Sequence, residues 1–191
     1  MCRHAGYKRT CSFMTSVSLL CHEATPARHV SAILVRVWRR RDRMAISFRL
    51  NGEISRLLIP LPRPHRRVDG LWRHTCFEAF VAVDGTSAYR EFNFAPSGEW
   101  AAYAFRDYRS SVPLELDEDP EITSRATADC LELDAVLPAS WPTPTLQEKV
   151  RLGLSAVVED ESGALSYWAL KHPTGKADFH HRECFALEVD G

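Results

Sequence analysis

In the segment YREFNFAPSGEWAAYAF, residues 89–105, side chains that could bind a ligand or take part in a reaction stand at alternate positions. Glu91 and Asn93 alternate with Phe92 and Phe94. Because successive side chains of a β-strand point to opposite faces, one face carries a carboxylate and an amide, and the other carries two rings. Carboxylates and amides can hydrogen-bond the hydroxyl groups of a ligand, whereas the two rings are typical of a core.

A second stretch, HTCFEAFVAV at residues 74–83, has the same pattern. Glu78 lies in phase with Cys76 and Phe80 and opposite to Phe77. If the two stretches pair as strands, we expect Glu78, Glu91 and Asn93 to lie together on an outer sheet face, with directly opposite side chains about 5 Å apart. Such a face is either ordinary solvated surface or a ligand-binding surface.

Aromatic residues on or near the same strands favour the ligand-binding interpretation, although an individual tryptophan more often belongs to the core. Ring faces pack against the C–H surface of a sugar-like ligand while carboxylates and amides bind its hydroxyls. The predicted binding residues are Glu78, Glu91, Asn93, Trp168, Trp72 and Trp100.

The segment HPTGKADFHH, residues 172–181, offers a different kind of site. His172, Asp178 and His180 or His181 could in principle provide three ligands for zinc or iron. Adjacent histidines in an extended segment point to opposite sides, so only one of His180 and His181 could join Asp178. The loop is therefore an alternative location for a metal or a small enzyme site.

The elements that would position these residues are short strands separated by turn signals. Asn51-Gly52 predicts a hairpin with residues 53–60 as the returning strand, and Asp84-Gly85 and residues 161–163 predict two more turns. Serial strands without an amphipathic helix predict an all-β protein, an antiparallel β-sandwich of the jelly-roll type. We expect residues 1–18 to be a disordered extension or the result of a start upstream of Met14, and residues 19–191 to form one domain.

The composition indicates an ordinary globular protein, with 191 residues, 45% hydrophobic residues and a net charge of −1. Residues 1–75 carry 15 Lys and Arg against four acidic residues, and residues 76–191 carry nine against 21. Distant segments neutralise one another in a β domain, so we expect no nucleic-acid partner. No apolar run is long enough for a membrane span, and the N-terminal segment is too polar for a secretory signal. We therefore expect a cytoplasmic protein.

The six cysteines form no C-x-x-C pair. Cys76, Cys130 and Cys184 each lie in a strand-like apolar run, which predicts buried free thiols rather than a disulfide framework.

Four segments carry a resemblance to a known family. They are LWRHTCFEAFV (71–81), YREFNFAPSGEWAAYAF (89–105), LGLSAVVE (152–159) and LSYWALKHPTGKADFHH (165–181). They resemble bacterial DOMON-like domain proteins, which are related to family 9 carbohydrate-binding modules. The resemblance covers residues 19–190 and implies a sandwich with a ligand in a concave face or a loop-lined pocket. It also implies that Glu78, Glu91 and Asn93 match polar positions of the core strands.

The function that these observations predict is non-catalytic binding of a carbohydrate or a similar polar small molecule. The resemblance implies haem as an alternative, because relatives ligate haem through Met and His. Met44 would be the methionine ligand, with a partner from His74, His172, His180 or His181. No C-x-x-C-H motif is present, which excludes covalent haem attachment. We expect no cofactor in the favoured interpretation.

Overall fold

The computed structural model describes residues 12–40, 43–138, 141 and 149–189, which contain twelve β-strands, three single-turn 3-10 helices and no α-helix. The strands are β1 (Ser12–Cys21), β2 (Val30–Arg40), β3 (Arg43–Gly52), β4 (Cys76–Val83), β5 (Tyr89–Phe94), β6 (Trp100–Asp107), β7 (Ser110–Val112), β8 (Glu121–Ala126), β9 (Cys130–Leu137), β10 (Val150–Glu159), β11 (Leu165–Ala169) and β12 (Leu187–Val189). The 3-10 turns are Ile54–Arg56, Leu71–Arg73 and Arg182–Cys184.

The strands form two antiparallel sheets that share β1. The first sheet has the order β8-β9-β3-β2-β1, and the second has the order β7-β6-β5-β4-β10-β11, with β12 also pairing with β10. Ser12–Leu19 of β1 pair with β2, whereas Leu20 and Cys21 pair with β11. The strand β1 therefore passes from one sheet to the other and joins them at one side.

The core lies between the two sheets. In the first sheet Phe48 points inward, and in the second sheet Phe77 does, with their ring centroids 4.9 Å apart. Phe92 and Phe94 of β5 are also buried in this core, as the alternation in residues 89–94 predicts. Face-to-face packing of antiparallel sheets confirms the predicted all-β sandwich.

Two of the three predicted turns are confirmed, and one is wrong. Gly85 and Gly163 have positive φ in the turns between β4 and β5 and between β10 and β11. Asn51-Gly52 is instead the end of β3, and Ile54–Arg56 forms a 3-10 turn, so residues 53–60 do not return as a strand. Gly52 is needed for a different reason, because a Cβ there would lie 2.1 Å from the carbonyl oxygen of His29.

The predicted domain boundary at residue 19 falls inside β1. Residues 12–18 are not outside the fold, because they pair along their whole length with β2, and Val17 packs against the core. Strand pairing explains the difference, since a partner strand can order a polar segment such as MTSVS. Residues 1–11 lie outside the described residues.

The outer face of the second sheet is covered by the segment between β11 and β12, residues 170–186, which we call the cover loop. Both flanking strands pair with β10, so the loop begins and ends beside the same strand. Phe179 and Phe185 of the loop form a second apolar cluster with residues of the sheet that include Phe80 and Phe105. Gly153 of β10 allows the close approach, because a Cβ there would lie 2.7 Å from Phe185 Cδ1.

The buried thiols agree with the sequence prediction. Cys76, Cys130 and Cys184 are free and buried, although Cys184 lies in a 3-10 turn and not in a strand. No helix in the described ranges is long and apolar enough to cross a membrane.

Candidate binding site

The register of the second sheet brings the polar residues of three strands together. Glu78 lies directly opposite Asn93 on one side and Ser155 on the other. Glu91 is in the adjacent row, opposite Tyr103 of β6. Glu78 and Glu91 are therefore diagonal neighbours on the same face, at a spacing that long side chains can bridge.

This polar face is enclosed and is not ordinary solvated surface. The exposed fraction is 2% for Glu78, 5% for Glu91 and 0% for Asn93. The cover loop and β6 explain the burial, because His180 approaches Glu91 from the loop and Tyr103 stands beside it. The sequence predicts the correct face but not the segment that closes it.

A cavity of about 700 Å³ lies over the two glutamates. Its aromatic lining residues are Trp72, Tyr103, Phe105, Tyr167 and Phe179. Its charged lining residues besides Glu78 and Glu91 are Asp69, Arg73, Arg109 and Asp178. The cavity thus combines acidic groups, two guanidinium groups and ring surfaces in one enclosure.

His180 connects the cover loop to the glutamates. Its Nδ1 lies 2.8 Å from the hydroxyl of Tyr89, and its Nε2 lies 3.5 Å from Oε2 of Glu91. The Tyr89 oxygen also accepts the backbone N–H of Arg109 at 3.0 Å. Either tautomer of the imidazole can use the contact with Tyr89, because a phenol hydroxyl both donates and accepts.

Glu91 is also held by Asn93, whose Nδ2 donates to Oε1 at 2.9 Å. The hydrogen bond to Glu78 is weaker, since Ser155 Oγ lies 3.4 Å from its Oε2. Oδ1 of Asn93 is buried and has no hydrogen-bond partner in the described part of the chain. The floor of the cavity therefore has more acceptors than donors.

A second cluster fixes the cavity wall. Arg109 has a φ of 52° in the turn between β6 and β7, and its guanidinium donates to Asp178 at 2.8 Å. Asp178 also accepts the hydroxyl of Tyr108 at 2.6 Å. Burial raises the pKa of Asp178, but the hydrogen bonds from Tyr108 and Arg109 outweigh burial and lower it overall. Asp178 is therefore an ionised partner of Arg109.

The glutamates titrate differently from Asp178. Burial, reinforced by the negative charge of Glu91, raises the pKa of Glu78 well above its ordinary value. Burial raises the pKa of Glu91 to about 7, although the hydrogen bond from Asn93 and the charge of Arg109 oppose it. Burial and then the charge of Arg109 lower the pKa of His180 to about 4. At neutral pH His180 is thus neutral, its contact with Glu91 is not an ion pair, and the two glutamates retain a proton.

The predicted binding residues divide into two groups. Glu78, Glu91 and Trp72 line the cavity, and Asn93 lies in the same face beside them. Trp100 and Trp168 are wrongly placed by the sequence analysis, because both belong to the core between the sheets. The register explains this, since Ala169, and not Trp168, lies opposite Ser155 in the row of Glu78.

Of the cover-loop residues that are candidates for a metal site, two line the cavity and two form hydrogen bonds elsewhere. Asp178 and His180 line the cavity, whereas His172 Nε2 bonds the carbonyl of Leu20 at 2.8 Å and His181 accepts the N–H of Glu183. In the ranges that the structure covers, no three His, Cys, Asp or Glu side chains are grouped to hold a metal ion. The sheet face and the loop, which the sequence offers as alternative locations, line one cavity.

The residues of the haem alternative do not meet at the cavity. Met44 is 1% exposed in the core between the sheets. His74 is exposed and bonds Oε2 of Glu159 at 2.8 Å. Neither residue lines the cavity.

Comparisons with known proteins identify a related fold. No family model matches the chain. No curated protein matches it either. Among solved structures, the chain is similar to that of a "putative carbohydrate-binding protein" from Bacteroides uniformis ATCC 8492, with a TM-score of 0.61 and 11% sequence identity. The alignment covers 90% of this chain and 83% of the other. At this identity the likeness shows a shared fold.

Proposed function

We propose that the chain is a non-catalytic binding module that holds a carbohydrate or a similar polar small molecule in the cavity over Glu78 and Glu91. The observation that carries the proposal is the combination of buried carboxyl groups with aromatic walls in one cavity. Its volume of about 700 Å³ lies within the range of small-molecule sites.

The chemistry of the lining suits a polyhydroxylated ring. The faces of Trp72, Tyr103 and Tyr167 can pack against C–H groups, while carboxyl groups at the floor bind hydroxyls in well-defined directions. Trp72 is 47% exposed, which leaves its ring available to a ligand. Arg73 lies over the Trp72 ring at 5.2 Å and limits its movement.

Two further observations support the proposal. The structurally similar protein from Bacteroides uniformis has a name that refers to carbohydrate binding. The sequence segments that resemble DOMON-like domains and family 9 carbohydrate-binding modules include Glu78 and Glu91. Ligand sites differ between proteins of one fold. Carbohydrate binding by this chain is therefore part of the proposal and does not follow from the structural likeness or the sequence resemblance alone.

The experiment is a thermal-shift screen of neutral sugars, sugar acids and amino sugars, followed by isothermal titration calorimetry with each compound that raises the melting temperature. Proton NMR of the same mixtures should show the ligand unchanged over a day. Turnover of the ligand would replace the non-catalytic assignment with an enzyme activity.

A matched pair of tryptophan variants tests the location. Trp72→Ala should weaken binding by about tenfold, since it removes a stacking surface worth roughly 0.5–1.5 kcal/mol together with its buried area. Trp38→Ala, on the outer face of the first sheet, should leave the affinity unchanged. Equal affinities for wild type and Trp72→Ala would contradict this location.

A further inference from the structure

We infer that the ligand of this cavity carries a cationic amino group and that this group binds between Glu78 and Glu91. The inference rests on the proposed function, because it names the ligand class of the same site. The class is an amino sugar or another polyhydroxylated amine.

The first step of the argument is that the two glutamates have no cationic partner in the described ranges. Glu78 has one hydrogen bond, from Ser155 at 3.4 Å. Glu91 accepts from Asn93 and faces His180, whose imidazole is neutral. A buried carboxylate without a cationic partner is unfavourable, so two adjacent ones create a strong preference for a positive charge between them.

The second step is that the cations near the cavity are already engaged elsewhere. Arg109 bonds Asp178, and Arg73 lies over the ring of Trp72. Lys171 does not line the cavity and pairs with Glu183 at 2.7 Å. The charge of Arg109 favours ionisation of both glutamates from a distance, but its guanidinium donates to Asp178 and to Tyr108.

The third step is that the enclosure itself suits a cation. Tyr103, Phe105 and Phe179 line the same cavity, and aromatic rings attract cations to their faces. A primary ammonium group has three N–H donors and no acceptor. The floor offers acceptors to match, namely the carboxyl groups of Glu78 and Glu91, which both line the cavity.

Entry of an ammonium group also explains how the glutamates can lose the proton that burial makes them retain. The cation favours the ionised form of both carboxyls, so the proton leaves to solvent as the ligand binds. The groups that face the pair from other elements are Ser155 of β10, Tyr103 of β6, Arg109 of the turn after β6, and Asp178 and His180 of the cover loop. Among them only His180 titrates near neutral pH in its ordinary state, and here it stays neutral.

The test compares sugars that differ at one group. Glucose, galactose and mannose are each titrated by calorimetry into the full chain at pH 7, beside the corresponding 2-amino sugar and its N-acetyl derivative. We expect at least one amino sugar to bind about tenfold more tightly than its hydroxyl counterpart, and the uncharged N-acetyl form to lose this advantage. Equal or tighter binding of the hydroxyl sugar in every pair that binds would overturn the inference.

Variants of Glu78 and Glu91 test whether these two residues cause the preference for the amino sugar. Glu78→Gln and Glu91→Gln keep the shape of each side chain, and each should reduce the preference for the amine to about threefold or less. Glu121→Gln removes one acidic group from the edge strand β8 of the first sheet and should leave the preference unchanged. A preference that persists in both floor variants would overturn the inference.

A second measurement does not depend on variants. Titration of the amino sugar at constant pH in two buffers with different ionisation enthalpies should show release of protons from the wild-type chain, in excess of the ligand's own titration. No excess release would overturn the inference. Binding of neutral sugars without an amine preference would leave the proposed function in place, whereas no binding by any compound of the panel would refute both.

Discussion

Nε2 of His180 lies 3.5 Å from Oε2 of Glu91, although the two residues are far apart in the chain. His180 belongs to the cover loop, and Glu91 belongs to β5 of the second sheet. Tyr89 belongs to β5, as Glu91 does, and its hydroxyl orients the imidazole of His180. The cavity therefore exists only when the cover loop is packed on the sheet, and under the proposed function loop packing and ligand binding should be linked.

The hydroxyl of Tyr89 is the first test of that link. Tyr89→Phe leaves the N–H of Arg109 and Nδ1 of His180 without their shared partner. We expect a loss of roughly 1–3 kcal/mol in the free energy of unfolding, measured by urea denaturation, together with weaker ligand binding. Tyr108→Phe removes an exposed hydroxyl from Asp178 and should cost less. The reverse order would show that the Tyr89 hydroxyl does not hold the loop.

Gly153 tests the packing of the loop from the other side. In Gly153→Ala the new methyl group would lie 2.7 Å from Phe185 Cδ1, so Phe185 must move and the cover loop with it. We expect a destabilisation of about 1–3 kcal/mol and a lower affinity. In a double-mutant cycle, Phe185→Leu should relieve part of the cost of Gly153→Ala. If the free-energy changes of the two substitutions simply add, the methyl group at position 153 does not clash with Phe185.

The pH dependence of stability tests the burial of Glu91. Its pKa of about 7 in the folded chain exceeds its ordinary value, so the folded state binds more protons than the unfolded state between about pH 4.5 and 7. The contribution of Glu91 to the free energy of unfolding is therefore fully present below this window. As the pH rises through the window, the free energy of unfolding falls by roughly 3 kcal/mol. The lowered pKa of His180 has the opposite effect between about pH 4 and 6.5, where it makes stability increase with pH.

Comparison with Glu91→Gln separates these two effects. The difference in unfolding free energy between the variant and the wild type should grow in favour of the variant from pH 5 to pH 8, because only the wild type has a carboxyl to ionise. Chemical denaturation at four pH values measures it. A constant difference across this range would mean that Glu91 titrates normally.

Removal of residues 12–18, the first part of β1, tests the domain boundary. A chain that begins at Leu19 lacks residues 12–18, which pair with β2, and this leaves most of β2 as an unprotected edge. We expect its melting temperature to fall by about 5 °C or more, or cooperative unfolding to disappear. A chain that begins at Ser12 keeps the strand and serves as the control. Equal melting temperatures for the two chains would show that residues 12–18 are dispensable.

Local patterns in the sequence predict the strands and the faces of β4 and β5, because a strand has a period of two residues. The alternation places Glu78, Glu91 and Asn93 on one face and Phe92 and Phe94 on the other, as observed. Which face of one strand lies beside which face of another depends on register. That is why Trp168 could be assigned to the wrong side.

The remaining parts of the site leave little signal in the sequence. The cover loop has no periodic pattern, and its position follows from the pairing of β11 and β12 with the same strand. Arg109 reaches the cavity through a turn with positive φ, which arginine rarely adopts. The Asn51-Gly52 pair is a strong hairpin signal, but here a close approach to His29 determines why glycine is present.

The most direct test is a titration of the full, ¹⁵N-labelled chain with the tightest-binding sugar of the screen, followed by amide and indole chemical shifts. The signals of the Trp72 indole and of the amides of Glu78, Glu91 and Arg109 should shift together along one binding curve. The Trp38 indole on the outer face of the first sheet should not move. Shifts confined to the first sheet, with the Trp72 and Glu91 signals unchanged at saturation, would contradict the assignment of this cavity as the binding site.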